Sequence, residues 1–181
     1  MESRTHPLDR ALPRVPRDIS LSTYALLFSE VVRYTTNRVN SVPELEQKLA
    51  VIGRRVGVRL VEVMAMRDRT SRRRIKIHDV LAFLQTNLWR TLFGKPADLL
   101  EQVTSDVCSY MLSDHDMLVN KFISISKEYG DLNCAAFVGG IVEAAVDGMG
   151  FPAEVAAHTV EGKGTTLLIK FDHTKIPQEA L

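Results

Sequence analysis

The spacing of apolar residues changes partway along this chain, and that change limits the folds open to it. Up to Phe93 apolar residues recur at helical intervals. Beyond Val107 they alternate, with one more helical stretch set between alternating ones. Helices followed by strands, then a helix and more strands, point to an α+β domain. The expected architecture is four helices packed on a four-stranded antiparallel sheet, in the order ααα-ββ-α-ββ.

The first helix is expected from about Ser22 to Asn37, with Ser20 or Ser22 as its cap. Tyr24, Leu27, Phe28, Val31, Val32 and Tyr34 form one arc, wider than the stripe of about 100° that a single core contact needs. Leu26 falls on the opposite side, with Glu30 and Arg33. The helix therefore has more apolar surface than one neighbour covers.

The second helix starts at "SVPE". Ser41 and Glu44 have capping-box spacing, and Pro43 suits a first turn. Leu45, Leu49, Ile52, Val56, Leu60 and Val63 form its expected main stripe, with Ala50, Gly53, Gly57 and Met64 on an adjoining face. Each glycine costs about 1 kcal/mol relative to alanine inside a helix. Such a cost is tolerated where another backbone comes close, within this chain or on another subunit. "RDRTSRRRIK" follows, with Arg67, Arg69, Arg72, Arg73, Arg74 and Lys76. This basic surface loop is either a solvated connection or a face for anionic lipid or an acidic protein. Interleaved aromatic residues for nucleic-acid stacking are missing.

The third helix is expected over about Ile75 to Phe93, its stripe formed by Ile77, Leu81, Leu84, Leu88 and Leu92, and its end marked by Gly94 and Pro96. "VCSYMLSDHDMLVNKFISI" reads as two strands around a polar turn at Ser113 to Asp116. "AEVAAHTV" and "TTLLIKF" read as a hairpin across "EGKG". Apolar residues lie on both faces of the last strand, which places it inside the sheet.

The net charge of +1 gives no global pull toward nucleic acid or membrane. Two cysteines make no disulfide framework. The N-terminus has no apolar signal core, and no run has the roughly 18 apolar residues of a membrane span, so a cytoplasmic protein is expected. Residues 1–18, with Pro7, Pro13 and Pro16, read as a flexible arm; 19–173 read as one domain and 174–181 as a tail.

No common catalytic motif is present, "GKGTT" joins two strands rather than opening a helix, and "DHD" at Asp114 to Asp116 reads as a solvated turn rather than a metal site. Cys134 stands near the start of the fourth helix, capped by Asn133 or Asp131, where a helix N-terminus can activate a thiol. Phe137, Ile141, Ala145 and Met149 share its side, and Ala136, Gly139, Gly140 and Ala144 keep the next face small. Apolar surroundings raise a thiol's pKa, so Cys134 reads as a packing residue, and no catalytic residue, cofactor or metal ligand is expected.

"SLSTYALLFSEVV", "SVPELEQKLAVIGRRVGVRLVE", "LWRTLFGKPADLLEQ", "LNCAAFVGGIVEAAVDGMGFPAEV" and "GKGTTLLIKF" together resemble a small subunit of the transport protein particle (TRAPP) complex, of the subunit 5 type. The resemblance runs over about residues 20 to 172, in collinear order. It implies the same α+β fold and a non-catalytic scaffold role in a vesicle-tethering complex that promotes nucleotide exchange on a Rab-type GTPase between the endoplasmic reticulum and the Golgi. It also implies a cytoplasmic protein held peripherally at endoplasmic reticulum and cis-Golgi membranes.

The partners it implies are a same-fold paralogue, met through the first two helices, and a sedlin-like subunit. The expected interface comprises Leu26, Leu27, Val31, Gly53, Gly57, Val58 and Leu60. A founding paralogue of the family carries an acylated cysteine after its second helix; residues 67–76 here contain none. The alternative is a lipid- or haem-binding module of related fold, for which His78 is the one histidine within the expected helices.

Overall fold

In the computed structural model the described residues are 19–67, 76–104, 106–124, 130 and 132–176. The expected arm at 1–18, the basic positions Arg69, Arg72, Arg73 and Arg74, and Asp131 lie outside them. The elements are α1 (Leu21–Thr36), α2 (Val42–Arg67), α3 (Ile77–Phe83), a π-helical turn (Leu84–Leu88), α4 (Trp89–Phe93), β1 (Leu99–Gln102), β2 (Ser109–Asp114), α5 (Leu118–Lys121), α6 (Ala136–Gly148), β3 (Ala153–Val160) and β4 (Gly164–Phe171). The sheet is antiparallel throughout, in the order β1-β2-β4-β3. β4 is thus internal, as its two apolar faces require. Register places Tyr110, Leu112, Leu167, Ile169, Val155 and Ala157 on one face, which packs against the helices.

Of the helix expected over Ile75 to Phe93, the described residues Ile77 to Phe93 form one helical run with a π-turn in its middle, and Ile75 lies outside the described residues. Leu88 and Trp89 are both fully buried although adjacent. Gly94, at φ +76°, closes the run in the left-handed conformation that favours glycine.

The first pair of strands differs from expectation. β2 ends at Asp114 and lies between the upstream β1 and β4, rather than forming a hairpin with a strand immediately after it. After Asp114 the chain turns into α5, where Met117 and Val119 are buried. The cause is Asp114 itself. Its carboxylate is fully buried and accepts hydrogen bonds from Trp89 Nε1 (2.8 Å), Lys95 Nζ (2.7 Å) and the Asp116 backbone N–H (3.0 Å). Asp114 is therefore a buried pin between the end of the helical run and the sheet, while His115 and Asp116 form an exposed turn as expected. Hydrogen bonding to Asp114 raises the Lys95 pKa.

The main contact of the helix layer is α2 against α6. Leu45, Leu49, Gly53 and Gly57 are buried there, whereas Val56 is 42% exposed, so the packed stripe runs through the glycines rather than through Val56. A Cβ at Gly53 would collide with the Phe137 carbonyl, and one at Gly57 would lie 2.7 Å from the Ile141 oxygen. Gly140 repeats the arrangement from the other side, against the Ala50 backbone. The small residues of both helices let the backbones touch. Arg54 closes one margin of the contact through ion pairs with Glu143 and Asp147.

α1 is held more lightly. Ser20 caps it by accepting from the Thr23 N–H, and its buried face is Phe28, Val32 and Thr35. Phe28 meets the Phe137 ring at 5.3 Å and stacks on Tyr24 at 5.9 Å.

Two substitutions test this packing. Gly53→Ala improves helix propensity, yet it forces α2 away from α6. The expected result is a net loss of about 2 kcal/mol or more in chemical denaturation. Asp114→Ala strands the buried Trp89 N–H and is expected to cost about 2 to 4 kcal/mol, whereas Lys121→Ala on the exposed neighbouring ion pair changes stability by under about 1 kcal/mol.

Candidate partner interface

Placed in the fold, the expected interface residues separate into two sets. Leu26 is 71% exposed, Leu27 65% and Val58 50%. These three present apolar surface to solvent from two successive helices. Val31 and Leu60 are half-buried and pack on the core while keeping an outer edge. Gly53 and Gly57 are buried under α6. Their close-approaching backbone belongs to this chain, so neither is open to another subunit, which corrects their assignment.

Position on the helix explains the exposure of α1. Its buried centre is Phe28, and Leu27 lies about 100° away, beyond the reach of α6. Tyr34 shares that flank at 55% exposure, with the Arg38 guanidinium 3.5 Å above its ring centroid. Glu30 and Arg33 neutralise each other through two hydrogen bonds of 2.9 Å. Val51 and Met66 of α2 add further exposed apolar surface that sequence reasoning did not assign to the interface. The signal for both was available: they lie away from the Gly53–Gly57 face, once that face is known to be the buried one. Of the expected basic loop, Arg67 and Lys76 are described, and both are exposed.

The other candidate chemistries fit poorly. Cys134 is fully buried in the turn just before α6. Burial, and secondarily the Glu46 carboxylate, push its thiol pKa up to about 11. Glu46 also accepts the Asn133 N–H at 2.8 Å, while the Asn133 side chain accepts from the Ala135 N–H at 3.0 Å. The start of α6 is thus occupied by carboxylate and amide groups, and the thiol stays protonated. Among the described residues no group of three His, Cys, Asp or Glu could hold a metal. His78 is exposed, its ring set edge-on to Tyr110 rather than into the core. No helix of the described residues is long and apolar enough to cross a membrane.

The thiol assignment is checked by alkylation with iodoacetamide. Cys134 is expected to stay unmodified in the folded protein at pH 8, an ordinary working pH about three units below its pKa, and to react on unfolding. Rapid labelling of the native protein at that pH would reopen a nucleophilic role.

Comparison with known proteins agrees with this surface-dominated picture. The family model described as "Transport protein particle (TRAPP) component" matches residues 24–172. The chain is 48% identical over 172 residues to trafficking protein particle complex subunit 5 of Gallus gallus, covering 95% of this chain and 90% of that protein. It is 44% identical over 178 residues to the Dictyostelium discoideum subunit 5, covering 96% of each. It is also 24% identical over 230 residues to subunit 31 of Saccharomyces cerevisiae, covering 91% of this chain and 80% of that protein. Among solved structures, trafficking protein particle complex subunit 3 from Naegleria fowleri, covalently bound to palmitic acid, superposes with a TM-score of 0.75. That match covers 87% of this chain and 98% of the other at 13% identity, which establishes the shared fold. The chain belongs to the TRAPP component family and is a TRAPP complex subunit that acts in trafficking.

Proposed function

We propose that this chain is a non-catalytic scaffold subunit of the TRAPP vesicle-tethering complex, acting between the endoplasmic reticulum and the Golgi. In this reading residues 19–173 form one domain that pairs with a same-fold paralogue through the outer surfaces of α1 and α2. A sedlin-like subunit is its second neighbour. Its contribution to nucleotide exchange on a Rab-type GTPase is indirect, through assembly, and its membrane association is peripheral.

The observation that carries the reading is the set of large apolar side chains left in solvent on two successive helices: Leu26, Leu27, Val51 and Val58. A folded chain gains nothing from exposing them, and large apolar side chains left exposed on neighbouring helices supply what a partner subunit would cover. Stable subunit interfaces bury about 2,000 Å² or more and are largely apolar. The buried, protonated Cys134 and the fully engaged Asp114 carboxylate point the same way, since neither is available for catalysis.

The test is co-expression with the same-fold paralogue. Leu26→Glu combined with Val58→Glu alters only exposed side chains, so the isolated chain should keep its melting temperature. Association is expected to fall by about 100-fold, because charge then stands in the apolar part of the interface. Undiminished co-purification of the folded variant would show that the interface lies elsewhere.

A further inference from the structure

The outward surface of α2 carries a second pattern beside its apolar side chains. With the Gly53 side turned to α6, Lys48, Arg55 and Arg59 all point away from the core and are exposed. At 100° per residue they fall within about 40° of one another, in a row running about 16 Å along the helix. Apolar residues border the row on both sides. Val51 and Val58 lie along one side; Ile52, Val56 and Val63 lie along the other. Glu44 and Glu62 are the carboxylates on this outward surface; Glu44 accepts the Asn40 backbone N–H, and none of Lys48, Arg55, Arg59, Glu44 and Glu62 is in an ion pair among the described residues.

The contrast with neighbouring charges is informative. On α1, Glu30 and Arg33 pair with each other. On the inner margin of α2, Arg54 is neutralised by Glu143 and Asp147. The outward row has three cations and no ion pair among the described residues. Covering the flanking valines with an apolar partner alone would trap three cations, at a desolvation cost that no ion pair among the described residues offsets.

We propose that the Lys48–Arg55–Arg59 row receives a helix of the partner subunit whose carboxylates stand among apolar residues. This rests on the pairing of α1 and α2 proposed above and specifies the chemistry of the partner. Each cation's alkyl stem covers apolar surface while its head meets a carboxylate, so the interface is apolar in area and acidic on the partner's side. An anionic membrane fits the pattern less well. A helix lying in a membrane surface keeps its cations on the polar face, away from the apolar one. Here the cations stand between two apolar rows, and immersing those rows would carry the charges below the headgroups.

The experiment uses the complex of this chain with its same-fold partner. A zero-length carbodiimide crosslinker joins an amine to a carboxylate only when they touch. Lys48 is expected to crosslink to an aspartate or glutamate of the partner, and Arg55→Lys should create a second such site. Lys48→Glu with Arg55→Glu and Arg59→Glu should weaken association by about tenfold or more at low salt. That difference should shrink between about 0.05 and 0.5 M salt, as the Debye length falls about threefold.

If the charge-reversed chain binds its partner normally while Leu26→Glu with Val58→Glu abolishes binding, the acidic-partner inference is wrong and the pairing stands. If neither variant affects association, both fail. If charge reversal abolishes binding to phosphatidylserine vesicles and leaves the subunit complex intact, the row belongs to a membrane contact and the inference is overturned.

Discussion

The close approach of α2 to α6 is the constraint on which the rest of the fold depends. Gly53 and Gly57 on one helix and Gly140 on the other bring backbone against backbone. That contact commits one face of a 26-residue helix to the interior and fixes the opposite face outward. It also places Phe137, against which Phe28 of α1 rests. The glycines carry a helix-propensity cost of about 1 kcal/mol each, offset by van der Waals contact along both helices. The apolar side chains left exposed on α2 follow from this geometry, because Val51 and Val58 lie on the side of the helix turned away from α6.

The second fixed point is the buried Asp114 carboxylate, which ties α4 and the segment after Gly94 to the end of β2. A carboxylate with no exposure is tolerable because each of its oxygens is hydrogen-bonded and a cation stands beside it. The same bonds remove Asp114 from any catalytic or metal-binding use. Together with the protonated Cys134 they leave a molecule whose distinctive chemistry lies on its outer surface. This suits a TRAPP complex subunit, whose relatives are named for their place in an assembly.

Much of the architecture was legible because periodicity reports burial directly. A serine cap at Ser20 or Ser22 of α1, Gly94 at the end of the helical run, the β3–β4 hairpin and the internal position of β4 all follow from local pattern, and the structure selects Ser20. β1 was not legible: four residues, none fully buried, give too short an alternation. The strand expected after Asp116 failed for a different reason. "MLVNKF" satisfies a strand pattern locally, but Asp114 is held inward by Trp89 and Lys95, and the exposed turn at His115 and Asp116 leads into α5 rather than into a second strand.

The candidate interface divides along the same line. Sequence alone marked Leu26 as lying opposite the apolar arc of α1 and showed that this arc was too wide for one neighbour. It also marked the Gly53–Gly57 pair as a site of close approach. Only the tertiary structure decided that the approaching backbone is α6 of the same chain, and therefore which side of α2 faces outward. Helical spacing fixes the angles between residues on one helix, but the direction in which that helix is turned depends on contacts between residues as far apart in sequence as Gly53 and Phe137.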